Sequence, residues 1–315
     1  MHTREFEYRE FDYPIPEIHY SDLAVWRQCP AKFNHMMSTR VTESKSLLAL
    51  LGSVFHNAFE VCSYYKDHLE TFTKEASTVD WWEKQIHYQL TSRPGEVYDI
   101  TPGRIEELAI GMAGRDAFNG VTLGDITVNM YKWASALGLK IINNEIRLKY
   151  GQFVGTLDIL AQNSKGEYAI IDIKTSGMWS KLLSNKSVTK QSYSQSQLAH
   201  HPQLKHYHWM VWKTMDYHLE EITNYGIGLP ANLIPYTTGK NKGKHRGLPY
   251  QIAQANPKAV KRYEEDMFEW LRQIEEGNFI RTYPAIYGKL MCDTCPFVSE
   301  CLSDQDTTFV PEYLR

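Results

Sequence analysis

The sequence predicts an α+β or mixed α/β domain: a short strand meander set between helices, with a large helical insert. Three observations predict it. Residues 44–65 place Leu48, Leu51, Phe55, Ala58, Phe59 and Cys62 on one stripe at helical spacing. Residues 66–140 are helical in texture, interrupted at Ser92-Arg93-Pro94-Gly95, Thr101-Pro102-Gly103 and Asn119-Gly120. The texture then changes to strand-like runs at 141–150, 153–161 and 168–175, the last two joined by Asn163-Ser164-Lys165-Gly166-Glu167.

The remaining elements follow in order. Residues 1–20, rich in charge, Tyr and Pro, read as an irregular lead-in. Ser21 caps a helix reaching about residue 37 and carrying Leu23, Val25, Trp26 and Phe33. The Ser/Gln/Lys-rich stretch 176–196 reads as a mobile loop, 197–215 as a helix and 224–229 as a further strand. A basic, Gly-rich loop at 238–247 precedes a helix at 258–276, and a Cys-rich tail follows. No repeat of 20 to 50 residues is visible.

With 315 residues, 43% of them hydrophobic and 13% aromatic, the chain can bury a sizeable core, which excludes a disordered class. No run of 18 apolar residues predicts a membrane span, and the first residues carry no apolar signal segment, so the expected location is the cytoplasm. A net charge of −3 neither advertises nor excludes a nucleic-acid partner, because phosphate responds to local charge.

The sharpest chemical signal is Gly155-Thr156-Leu157-Asp158 followed by Ile170-Ile171-Asp172-Ile173-Lys174. Residues two apart in a strand share a face, ~7 Å apart. Asp172 and Lys174 therefore point one way, and Ala169, Ile171 and Ile173 the other, into a core. Asp158, on the preceding strand, can meet Asp172 across the hairpin. Two carboxylates on one face of a buried sheet raise each other's pKa, and a divalent cation removes that cost. Mg²⁺ or Mn²⁺ takes hard oxygen ligands and bridges carboxylates to phosphate, and Lys174 adds a positive charge beside the same spot. This is equipment for metal-assisted phosphodiester hydrolysis. Taken alone, Asp172-x-Lys174 also fits a surface ion pair on an edge strand. His56 stands beside the apolar stripe, one turn after Gly52, which permits close backbone approach. It fits a core histidine or a third metal ligand, and the latter would favour Mn²⁺.

Five cysteines, an odd number, argue against a disulfide framework. Three of them, Cys292, Cys295 and Cys301, crowd into ten residues and point to a metal. The fourth thiolate comes from Cys29 or Cys62; Cys62 lies on the apolar stripe and reads as core. Zinc and an iron–sulfur cluster both accept four thiolates, and spacing does not choose between them.

These residues resemble the RecB-like branch of the PD-(D/E)XK nuclease superfamily. The matching motifs run in order: Gly52-x-x-x-His56, Gly155-x-x-Asp158, Asp172-x-Lys174 and Gln203-x-x-x-Tyr207. The resemblance implies a restriction-endonuclease-like core, a short mixed sheet flanked by helices. It makes 1–315 a single nuclease domain, with a helical insert at about 66–140 and a core at about 141–230. It implies a metal held by His56, Asp158, Asp172 and the carbonyl of Ile173, with Lys174 catalytic beside the two acids. Gln203 and Tyr207 match residues that contact DNA and support the site. Glu145 sits where many members carry an acid on the preceding strand. The split of one cysteine plus three is similar to the iron–sulfur sub-branch found in CRISPR-associated adaptation nucleases and the AddB-type helicase–nuclease subunit. It implies a [4Fe–4S] cluster on Cys29, Cys292, Cys295 and Cys301 that staples the chain ends. The implied activity is a single-stranded DNA exonuclease serving recombination, repair, spacer acquisition or viral DNA processing.

No Walker A loop is present, since 239–245 has the wrong spacing and His245 stands at the Ser/Thr position. Any motor is therefore a separate helicase or recombination partner. Lys240, Lys242, Lys244 and Arg246 offer either sequence-independent phosphate contacts or a merely solvated loop. Trp179, just after Lys174, is placed to stack on an unpaired base. The rival readings are a catalytically silent nucleic-acid-binding subunit and a zinc-stabilised nuclease.

Overall fold

The computed structural model describes residues 17–39, 46–92, 98, 100–184, 186–188 and 190–278. Helices α1 (Tyr20–Gln28), α2 (Pro30–Thr39), α3 (Leu47–Tyr64), α4 (Leu69–Glu75), α5 (Val79–Ser92), α6 (Pro102–Ala113) and α7 (Leu123–Ala136) come first. Strands β1 (Lys140–Tyr150), β2 (Phe153–Gln162) and β3 (Tyr168–Ile173) follow. Then come α8 (Ser180–Ser184), α9 (Gln195–Ala199), α10 (Pro202–Thr214), β4 (Ile222–Gly228), β5 (Tyr250–Gln254) and α11 (Pro257–Glu275). The chain divides into two compact units: Met1–Val41 with Tyr150–Val154 and Glu264–Arg315, and Thr42–Lys149 with Gly155–Tyr263.

The second unit holds most of a five-stranded sheet of order β1-β2-β3-β4-β5. β2 and β3 pair antiparallel, with Ile159 opposite Ile171 and Gln162 opposite Tyr168. β3 then pairs parallel with β4, and β4 antiparallel with β5. The sheet is thus mixed, as the resemblance implies, and flanked by helices. β3 lies at its centre, and Ala169 to Ile173 are buried along its whole run. A central strand covered on both faces reads as this nearly continuous apolar run.

α3 begins where the Ser46 side chain accepts a hydrogen bond from the N–H of Ala49. Leu50, Leu51, Val54, Phe55, Ala58, Phe59 and Cys62 are buried along it. They share one core with Ile159, Ala161, Ala169, Ile171 and Ile173 of the sheet and with the helical insert. Each large apolar side chain buried there contributes roughly 1.5–3 kcal/mol. Leu48, expected on the stripe, is exposed instead, and Leu50 and Val54 face inward. By length and hydropathy α3 could cross a membrane, but its apolar residues form this core. The insert helices start on capping residues: Thr101 with Pro102 for α6, and the reciprocal Thr122–Asp125 pair for α7. The turn before α7 puts Asn119 and Gly120 at φ +59° and +99°.

Prolines account for two departures from the expected elements. The helix expected from Ser21 to about residue 37 is split at Cys29, which is extended (φ −157°, ψ 101°) because Pro30 disfavours a helical residue before it. The helix expected at 197–215 is likewise split ahead of Pro202. The stretch 176–196 is not all loop, since it contains α8 and the start of α9. β5 was not foreseen, because in Tyr-Gln-Ile-Ala-Gln only Tyr250 and Ala253 are buried and the apolar alternation is too short to show.

In the first unit, Ile18 bridges the start of β2, donating its N–H to the Gln152 carbonyl and accepting from the Val154 N–H. The Arg27 guanidinium lies over the Trp270 ring, 5.1 Å from its centre.

Candidate metal centre

The β2–β3 register, continued one step past Ile159 and Ile171, sets Asp158 opposite Asp172. Both are buried, Asp158 at 6% and Asp172 at 2% exposure. Asp158 Oδ2 accepts the Ile173 N–H at 2.6 Å, and Asp172 Oδ2 pairs with Lys174 Nζ at 2.8 Å. α3 adds His56. A Cβ at Gly52 would come within 3.3 Å of Thr175 Oγ1, so glycine lets this turn of the helix rest on the end of β3. His56 Nδ1 then lies 3.0 Å from Glu145 Oε1 and 3.3 Å from Asp158 Oδ1. Glu145 is in the middle of β1 at φ +48°, the left-handed region that non-glycine residues rarely enter. Strain of this kind collects where a side chain must be aimed at a site.

The electrostatics are those of an acidic pocket short of positive charge. Burial, and then the neighbouring Asp158, push the Asp172 carboxyl up to about 6, against the pull of Lys174. Burial also raises Glu145, with His56 restraining it. Burial works against a charge on His56, yet Asp158 and Glu145 prevail and hold its pKa well above the ordinary value. Lys174 is likewise kept cationic by Asp172 despite burial. One ligand atom from each of His56, Glu145 and Asp158 lies within 4.8 Å of the others. An imidazole among carboxylates fits Mn²⁺ or Mg²⁺. Asp172 stands beside this trio, with Lys174 on its own carboxylate.

On its far side Lys174 Nζ donates to Gln203 Oε1 at 2.7 Å, and Gln203 Nε2 donates to the Tyr207 hydroxyl at 3.1 Å. A Cβ at Gly155 would sit 3.3 Å from the Tyr207 ring, so this glycine makes room for the tyrosine over β2. Both residues were expected to touch DNA; here the Gln203 amide is engaged on both sides, and Tyr207 is 7% exposed. Gln203→Ala should release the ammonium from its position. A roughly tenfold drop in kcat with little change in KM is expected, the scale of losing one positioning hydrogen bond. Steady-state rates on a labelled strand read the split.

The family model of the PD-(D/E)XK nuclease superfamily matches residues 18–302. The chain belongs to that superfamily. As a PD-(D/E)XK protein it is a metal-dependent nuclease, and its substrate is nucleic acid. No curated protein matches the chain.

Within this PD-(D/E)XK nuclease, His56, Asp158, Asp172, Lys174, Gln203 and Tyr207 come together in one unit. Ile173, expected to offer its carbonyl, is seen donating its N–H to Asp158. Glu145, the acid that the resemblance marks on the preceding strand, lies on the His56 side of the site, held there by its left-handed backbone. Lys240, Lys242 and Lys244 are exposed on their loop, whereas Arg246 lies over the Tyr236 ring and donates to the Pro235 carbonyl. Trp179 is a correction: it is fully buried edge-on to Phe118 and has no face for a base. Cys62 is buried, as expected of a core thiol, and burial pushes its pKa up to about 12. Cys29 sits at the start of α2, where its Sγ accepts the Lys32 N–H at 3.4 Å. Cys292, Cys295 and Cys301 lie outside the described residues.

Proposed function

We propose that this nuclease is a deoxyribonuclease that degrades single-stranded DNA, or single-stranded ends, as an exonuclease with Mn²⁺ or Mg²⁺. The observation that carries this reading is the meeting of Asp158, Asp172, His56 and Glu145 with the Lys174 ammonium at one end of a hairpin. His56, Glu145 and Asp158, with Asp172 and the Ile173 carbonyl, are the residues that would hold the cation. When bound, the cation acidifies water and stabilises charge at phosphorus. Asp172 keeps Lys174 charged, and Lys174 offers that charge to the phosphate or orients the attacking water. Gln203 holds Lys174 in place, and exposed Lys240, Lys242 and Lys244 attract the backbone of the strand.

Four cysteines complete the proposal. Cys29, Cys292, Cys295 and Cys301 hold a [4Fe–4S] cluster of structural role. The one-plus-three spacing and the N–H directed at Cys29 Sγ support it. Such an enzyme works in recombination, repair, spacer acquisition or viral DNA processing, with strand separation supplied by a separate motor.

Anaerobic purification tests both halves, with visible absorption and iron content read on the same sample that receives 5′- and 3′-labelled single strands and Mn²⁺. A brown protein that shortens one labelled end first is expected. A colourless, zinc-containing protein that still cuts removes the cluster alone. A protein that binds DNA and never cuts with any divalent metal overturns the nuclease mechanism.

A further inference from the structure

The stretch from Lys190 to Gln195 is pinned along the edge of the site. Asn232, fully buried, accepts the Gln191 N–H at 3.0 Å and donates to the Gln191 carbonyl at 3.0 Å and the Leu248 carbonyl at 2.9 Å. The Tyr193 N–H donates to Gln251 Oε1 at 2.6 Å, and Gln195 Nε2 to the Ile252 carbonyl at 2.9 Å. The Gln191 side chain crosses Gly177, where a Cβ would fall 2.7 Å from Nε2, and that Nε2 donates to Ser176 Oγ at 3.2 Å. This anchors it two residues after Lys174.

Two polar atoms here are buried without a hydrogen-bond partner among the described residues: Gln191 Oε1 and His201 Nδ1. Such atoms are costly and few in folded proteins, so a pair of them beside one site asks for a ligand. Tyr193 follows Gln191 by two residues and packs on His201, its ring meeting the imidazole edge-on at 6.2 Å and 71°. Its phenol lies near enough to the Lys174 ammonium to interact with it electrostatically. Gln191 and Tyr193 are both half-buried, with exposed Ser192 between them. An amide oxygen only accepts hydrogen bonds, so a phosphate oxygen cannot satisfy Gln191 Oε1. The amino group or ring N–H of a nucleobase can.

We propose that Gln191, Tyr193 and His201 form a nucleobase subsite that holds one unpaired base of the strand next to Lys174. Tyr193 gives the stacking surface, Gln191 Oε1 and His201 Nδ1 the polar edge. A base inside a duplex has that edge occupied, so the subsite selects unpaired strands. The inference rests on the nuclease reading above and names what that site recognises besides phosphate.

The test uses the full-length protein in EDTA with a short fluorescent single strand, and the same strand carrying one abasic position moved along its length. Tyr193→Ala should weaken binding by about tenfold, the scale of losing one stacked base. Tyr193→Phe should bind like the parent, and His201→Ala should weaken binding with melting temperature unchanged. One abasic position should cost the parent about tenfold and cost Tyr193→Ala nothing further. If the parent binds in EDTA and cuts once Mn²⁺ is added, but no abasic position stands out, the subsite is overturned and the nuclease stands, even where Tyr193→Ala fails to fold. If the parent neither binds nor cuts any strand, both readings fall.

Discussion

Asp158→Asn is expected to give a folded protein whose cleavage rate is lower by about a thousandfold or more, the scale of removing a group that stabilises transition-state charge. Asp158 has two tasks that this substitution separates. Its Oδ1 faces His56, and its Oδ2 accepts the buried Ile173 N–H. The asparagine oxygen can still take that N–H, so the hairpin stays closed while the charge is lost. Asp158→Ala removes both, and the stranded N–H adds about 1–3 kcal/mol of instability. Rates on a labelled strand, a Mn²⁺ titration and melting temperatures distinguish the pair. A wild-type rate in Asp158→Asn would take Asp158 out of the metal site.

Metal-free protein is expected to lose stability as pH rises from about pH 5 to about pH 8, and divalent metal to restore it, with a larger gain at the higher pH. The rise of Asp172 from 3.8 to about 6 means that the folded chain keeps a proton the unfolded chain has already lost. Its contribution is therefore lost between about pH 4 and about pH 7, about 3 kcal/mol in all once both states are ionised, of which roughly half falls above pH 5. Glu145, also raised, has the same sign. His56 is held well above its ordinary 6.5, so its contribution is complete below 6.5 and is lost as pH rises through its folded value. Metal needs these groups deprotonated, so its apparent affinity grows along the same axis. Melting curves in EDTA and in Mn²⁺ across this range read both trends. Asp172→Asn should remove much of the EDTA slope. A melting temperature in EDTA that climbs with pH would contradict the proton assignment.

The acidic hairpin was legible in the sequence because it is local. Strand alternation and one turn suffice to bring Asp158 to Asp172, and the structure pairs β2 with β3 in that register. Gly52 was visible as a place of close approach and Gly155 as part of a motif; only the docked α3 and the Tyr207 ring show what each makes room for. Glu145 was marked by the resemblance alone, not by the residue pattern. Its carboxylate reaches His56 from a left-handed residue inside a strand, and alternation cannot express such a conformation. Gln203 was marked by the resemblance, but its bond to Lys174 depends on how α10 lies against β3. Trp179 was misplaced because nearness in sequence to Lys174 says nothing about which way a turn sends its side chain.

β3 has a near neighbour on one side and a distant one on the other. It follows β2 after a short turn, whereas β4, its parallel partner, begins at Ile222. Parallel pairing of that span closes slowly, since the intervening chain must first be wound across. During synthesis the two aspartates emerge together, ahead of the glutamine that holds the lysine and ahead of the strand that completes the sheet. An unfinished chain thus carries the acids without the means to aim the ammonium.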